Sequence, residues 1–105
     1  MCSTLDLDVA VRPGRTVVTA TGELDMDTSS CLRDISAALG LRSEALVLDL
    51  TAVTFADACG LNALLVLRHR VGLAGGTLEL GGLPDQVLRL LELTGTRHLF
   101  TLRAW

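Results

Sequence analysis

The segment Asp57-Ala58-Cys59 comes nearest to chemistry in this chain. A cysteine in the first turn of a helix can act as a nucleophile when a base and an oxyanion site stand beside it. Here Asp57 puts a carboxylate two positions away, and neither His69 nor His98 is adjacent in sequence. Cys59 therefore reads as a small apolar filler rather than a reactive thiol, and no catalytic residue is expected. Asp57 itself reads as a helix N-cap, because a carboxylate there satisfies free N–H groups and the helix dipole.

Metal and nucleotide chemistry find no support either. Cys2, Cys31 and Cys59 are widely spaced, form no Cys-x-x-Cys, and do not cluster with the two histidines. That excludes a zinc site and a disulfide framework, and a reducing cytoplasm fits best. The run Thr54-Phe55-Ala56-Asp57 is bulky or acidic, unlike the glycine-rich loops that cradle phosphates. No cofactor is expected.

These residues must be positioned by the elements around them. Leu5, Leu7, Val9 and Val11 alternate with Asp6, Asp8, Ala10 and Arg12, the period of a half-buried strand. Pro13-Gly14 marks a turn, and Arg15 to Thr21 is β-branched, so the two runs form a hairpin that Gly22 ends. Asp25, Asp27 or Thr28 can cap a helix over Ser29 to Leu39, whose Leu32, Ile35 and Leu39 make one apolar stripe. Ala45 to Leu50 is a continuous apolar run and reads as a buried central strand. Asp49 on it reads as a structural sheet-end residue, since a buried carboxylate needs a partner.

Thr51 to Asp57 then reads as a loop off that strand, leading into a helix over Ala58 to Gly72 with Leu61, Leu64, Leu65 and Val71 inward. Gly60 is the small residue that lets the first turn pack closely. Thr77 to Leu80 is a short strand. Gly81 to Pro84 opens a third helix with proline in its first turn, its buried side being Val87, Leu88 and Leu91. His98 to Leu102 is the last strand. The order β-β-α-β-α-β-α-β implies parallel crossovers in an α/β fold. The segment Thr54 to Asp57 lies outside the carboxyl end of a central strand, where such folds place function.

The whole chain sets limits. Its 105 residues fit one domain over 1–105, and half are apolar, enough for one core. A net charge of −3 argues against nucleic acid, which needs a basic stripe. Arg68, His69 and Arg70 read as a solvated helix face. The acidic start argues against a signal peptide, and Leu61 to Leu67 is far short of the ~20 apolar residues that span a bilayer.

Two clusters carry a resemblance that covers nearly the whole chain. They are Thr21-Gly22-Glu23-Leu24-Asp25 and the stretch Leu48 to Leu61, with its Phe55-Ala56-Asp57-Ala58-Cys59-Gly60-Leu61. With the turn at Gly75-Gly76 and the Leu-x-x-Leu-x-x-Thr-Gly ending at Gly95, they resemble the STAS-domain anti-sigma factor antagonists. The resemblance implies a single α/β STAS domain. Its mixed, mostly parallel sheet of four to five strands carries helices packed against it. The family's further C-terminal helix is expected to be absent or very short, with Trp105 covering the surface it would hide.

The resemblance also implies a protein-binding module in the cytoplasm, not an enzyme. Its partner would be an anti-sigma factor, commonly a serine kinase with a histidine-kinase-like ATP-binding fold. No nucleic acid and no membrane insertion are implied. The docking residues carried over are Glu23, Asp25, Thr54, Asp57, Ala58 and Cys59, with Asn62 and Val66 on the outward face of the second helix. The family's phosphoacceptor serine follows the loop aspartate; here that position is Ala58, which has no hydroxyl. The usual switch is therefore expected to be lost. A different role of the same fold is a soluble accessory subunit of a transport or lipid-trafficking complex.

Overall fold

The computed structural model describes residues 4–39 and 44–103. Strands β1 (Leu5–Arg12) and β2 (Arg15–Leu24) form the expected hairpin, with Gly14 at positive φ in the two-residue turn. Helix α1 (Ser29–Leu39) leads to β3 (Ala45–Ala56), and α2 (Ala58–Leu73) leads to β4 (Thr77–Gly81). Helix α3 (Asp85–Leu93) and a single 3-10 turn at Arg97–Leu99 precede β5 (Thr101–Arg103). The strands lie in the order β1-β2-β3-β4-β5, with β1 antiparallel and the rest parallel. This is the mixed, mostly parallel α/β sheet that the element order implied.

The central strand behaves as its composition requires. Leu46, Leu48 and Leu50 alternate onto one face and are fully buried with Val18, Ala20, Leu78 and Leu80 of the neighbouring strands. Leu32 of α1, Leu64, Leu67 and Val71 of α2, and Val87 and Leu91 of α3 complete that core. Leu65 and Leu88 are only half-buried.

Several boundaries differ from the expectations. Thr51 to Ala56 is not a loop. β3 continues through it, and β2 continues through Gly22 to Leu24, so the two strands pair as far as Leu24↔Ala56. The register shifts twice on the way. At the first shift, Asp49 Oδ1 accepts the Thr51 N–H at 2.9 Å and the Thr51 hydroxyl at 2.6 Å. Gly22 allows the continuation because it sits at φ 115°, where a β-carbon would overlap the Thr4 carbonyl oxygen.

At the other boundaries, Pro84 is the residue before α3 rather than within its first turn. Arg97 to Leu99 turns before the last strand begins at Thr101. Trp105 lies outside the described residues.

Candidate functional site

The ends of β2 and β3 and the start of α2 are tied together at one carbonyl. The Leu24 carbonyl accepts the Asp57 N–H at 3.2 Å. Asp57 caps α2, as its position suggested: it is extended at φ −115°, and its Oδ1 accepts the Cys59 N–H at 2.9 Å and the Gly60 N–H at 3.0 Å. Gly60 packs onto Leu24, with no room for a side chain. The close-packing role expected of Gly60 is thus met.

The turn from β2 to α1 is organised by Asp25 and Thr28. Asp25 Oδ1 accepts the N–H groups of Asp27 at 3.0 Å and Thr28 at 3.2 Å. This is the short-range bonding by which aspartate shapes turns. The Thr28 hydroxyl is buried, donates to the Glu23 carbonyl at 2.7 Å and accepts the Asp25 N–H at 3.0 Å. Glu23 is half-buried, donates its own N–H to the Thr4 carbonyl, and pairs with Phe55 in the ladder.

Gln86 was not singled out in the sequence, yet it anchors the other side. Its Oε1 accepts the Ala56 N–H and its Nε2 donates to the Ala56 carbonyl, both at 2.8 Å. One side chain of α3 thus satisfies both backbone groups of the last residue of β3. Met26 and Phe55 were also passed over as individual residues. They are 72% and 43% exposed, on the β2–α1 turn and the β3 end. Both stand on the segments that carry the expected docking residues.

The structure brings most of the expected residues to this end. Thr54 is exposed, and its hydroxyl donates to the Gly22 carbonyl at 3.3 Å. Ala58, Cys59 and Asn62 are exposed on the first turns of α2. Cys59 is a free thiol in the open, so it does not fill the core as expected. Val66, one turn beyond Asn62, is half-buried rather than presented outward. Arg68 and Arg70 are exposed but not merely solvated: Arg68 donates to the Leu99 carbonyl, and Arg70 to the Arg33 carbonyl at 2.7 Å.

The charge of this end is one-sided. Residues 22–28 and 51–62 include Glu23, Asp25, Asp27 and Asp57 and no lysine, arginine or histidine. This end is therefore acidic, and it also carries the exposed Met26 and Phe55. Among the described residues, no three of histidine, cysteine, aspartate and glutamate gather as metal ligands. No helix there is long and apolar enough to cross a membrane.

Known proteins share this fold. The family model described as the STAS domain matches residues 6–104. The anti-sigma-B factor antagonist of Bacillus subtilis (strain 168) is 26% identical over 100 residues, covering 95% of this chain and 92% of that protein. The crystal structure of an anti-sigma factor antagonist from Mycobacterium paratuberculosis superposes with a TM-score of 0.81 at 31% identity, covering 94% of this chain and 85% of that one. A sulfate transporter family protein from Wolinella succinogenes shares the fold at 20% identity, with a TM-score of 0.74 over 86% of this chain and 74% of that one.

Proposed function

The chain belongs to the STAS domain family, and from that premise we propose that it is an anti-sigma factor antagonist-like binding module. Its work is docking, not catalysis, and its place is the cytoplasm. The docking surface is the acidic end where β2, β3 and α2 meet, with Glu23, Asp25, Thr54, Asp57, Ala58, Cys59 and Asn62 together with Met26 and Phe55. Val66 contributes at the margin. The supporting observation is the tie of Asp57 and Gly60 to Leu24, which joins both sequence clusters of the resemblance into one surface. The partner is an anti-sigma factor of the serine-kinase type that presents basic side chains around an apolar recess, complementary in charge and shape.

Ala58 decides the regulation. It is exposed at the first position of α2, where the family's phosphoacceptor serine would stand, and it offers no oxygen to a kinase. The module binds its partner constitutively and is not switched off at that position. The second reading is a soluble accessory subunit of a transport or lipid-trafficking complex; the likeness to the Wolinella protein, at 20% identity, speaks for the fold alone.

Affinity capture from the native cell separates the two. Recovery of a kinase-like anti-sigma factor, bound without any phosphatase treatment, is the expected result. Recovery of transporter components in its place overturns the antagonist reading.

A further inference from the structure

β1 is an edge strand, and among the described residues no strand pairs with its outer side. Its inner side pairs with β2 without a break from Leu5↔Gly22 to Arg12↔Arg15. The Thr4 carbonyl accepts the Glu23 N–H at 2.8 Å, so Thr4 turns inward. Backbone groups alternate sides along an antiparallel ladder. Asp6, Asp8, Ala10 and Arg12 therefore bond toward β2, and Leu5, Leu7, Val9 and Val11 turn their N–H and C=O groups outward. Eight residues without bulge, proline or glycine form an open template for another strand. Val9 is 40% exposed and Val11 77%, so the outward edge also carries apolar side chains in water.

The sequence of β1 is complementary to itself in one antiparallel register. Odd residues must face odd residues for the outward groups to bond. With Val9 opposite Val9, Leu7 faces Val11 and Asp6 faces Arg12, each twice by symmetry. The neighbouring registers on one side set Asp8 against Asp8, or Asp6 against Asp8, and like charges directly opposite are destabilising. On the other side, Ala10 opposite Ala10 sets Asp8 against Arg12 but pairs fewer residues. Among the described residues neither Asp6 nor Arg12 takes part in an ion pair, and the ladder partner of Arg12 is the like-charged Arg15. Both charges are available to a second chain.

We infer that two copies of this chain associate edge to edge through β1, antiparallel about Val9, so that their sheets join into one with Asp6–Arg12 pairs at both ends. The interface is isologous, as two-fold symmetry requires. It does not involve the acidic docking end, and the two docking ends point in opposite directions. Two seven-residue edges bury less than the roughly 1,000 Å² of a stable interface, so the dimer is reversible and forms with rising concentration.

Sedimentation equilibrium of the full chain up to millimolar concentration tests this, with circular dichroism to confirm folding of each variant. The parent is expected to move from monomer toward dimer. Asp6→Arg and Arg12→Asp should each weaken self-association at least tenfold, because each sets like charges opposite one another. An equimolar mixture of the two variants should recover dimers, since each then meets its opposite, and one chain carrying both substitutions should recover them alone. A parent that stays monomeric throughout overturns the inference. So does a mixture that fails to recover association. Loss with Arg12→Asp but not with Asp6→Arg overturns the register about Val9.

Discussion

The carbonyl of Leu24 is clasped between Asp57 and Gly60. The Asp57 N–H bonds to it at 3.2 Å. A β-carbon on Gly60 would overlap its oxygen and stand 2.8 Å from Leu24 Cγ and 3.0 Å from the carbonyl carbon. The cap residue of α2 and the bare backbone of its first turn thus close on the same peptide, and that closure sets where the helix begins against the sheet.

Gly60→Ala should therefore destabilise the fold. In an ordinary helix this change stabilises by about 1 kcal/mol. Here the added methyl meets backbone that cannot swing aside, and overpacking of this kind costs about 1–3 kcal/mol. Urea unfolding should show a lower midpoint, and a midpoint equal to or above the parent's would contradict the close approach.

Gln86→Ala should weaken both the fold and partner binding, although Gln86 is not in the docking set. The substitution leaves the N–H and C=O of the buried Ala56 without their partners. Stranding such groups costs about 1–3 kcal/mol. Gln86→Glu keeps an acceptor for the N–H but sets an oxygen against the Ala56 carbonyl, so its loss in urea should be intermediate. Equal midpoints for all three chains would count against the two-point anchor.

Asp57 has two separable roles, and two substitutions divide them. Asp57→Ala removes the cap and should cost about 1 kcal/mol. Asp57→Asn keeps a capping oxygen while removing the charge. If the acidic end meets a basic partner, Asp57→Asn should fold like the parent yet bind an anti-sigma factor more weakly, by calorimetry. Parent-like affinity would remove the charge of Asp57 from the recognition.

Ala58→Ser should install a phosphoacceptor. The position is exposed, so stability should change by less than about 0.5 kcal/mol. A cognate kinase should add one phosphate to the variant and none to the parent, read by intact mass. The modified form carries about −1.5 to −2 further charge into an acidic surface and should release the partner. A phosphate on the parent, mapped to Thr51 or Thr54 and abolishing binding, would show that the switch was moved rather than lost.

The repeating parts of the fold were legible because their periods are local. Leu5 to Val11 alternates, Ala45 to Leu50 is unbroken, and the start of α2 follows from Asp57. The far end of β3 was not. Thr51 and Thr54 look like turn formers, and only pairing with the tail of β2 makes them strand. The β-branched and aromatic content of Thr51, Val53, Thr54 and Phe55 was the available signal. Gln86 had no local signal, since its bonds reach across thirty positions. Val66 was placed outward by counting helix positions, and neighbouring side chains half cover it.

The extension of β2 and β3 to Leu24 and Ala56 has a thermodynamic consequence. Glu23 and Phe55 belong to a hydrogen-bonded ladder, with Thr54 between the rungs Gly22↔Val53 and Glu23↔Phe55. A loop in their place would be fixed only on binding, at a cost of about 1–2 kcal/mol of conformational entropy per residue. Here folding has already incurred that loss. The partner meets a surface of fixed shape, so more of its contact energy appears as affinity, and the complex should form by rigid-body encounter with little rearrangement of this chain.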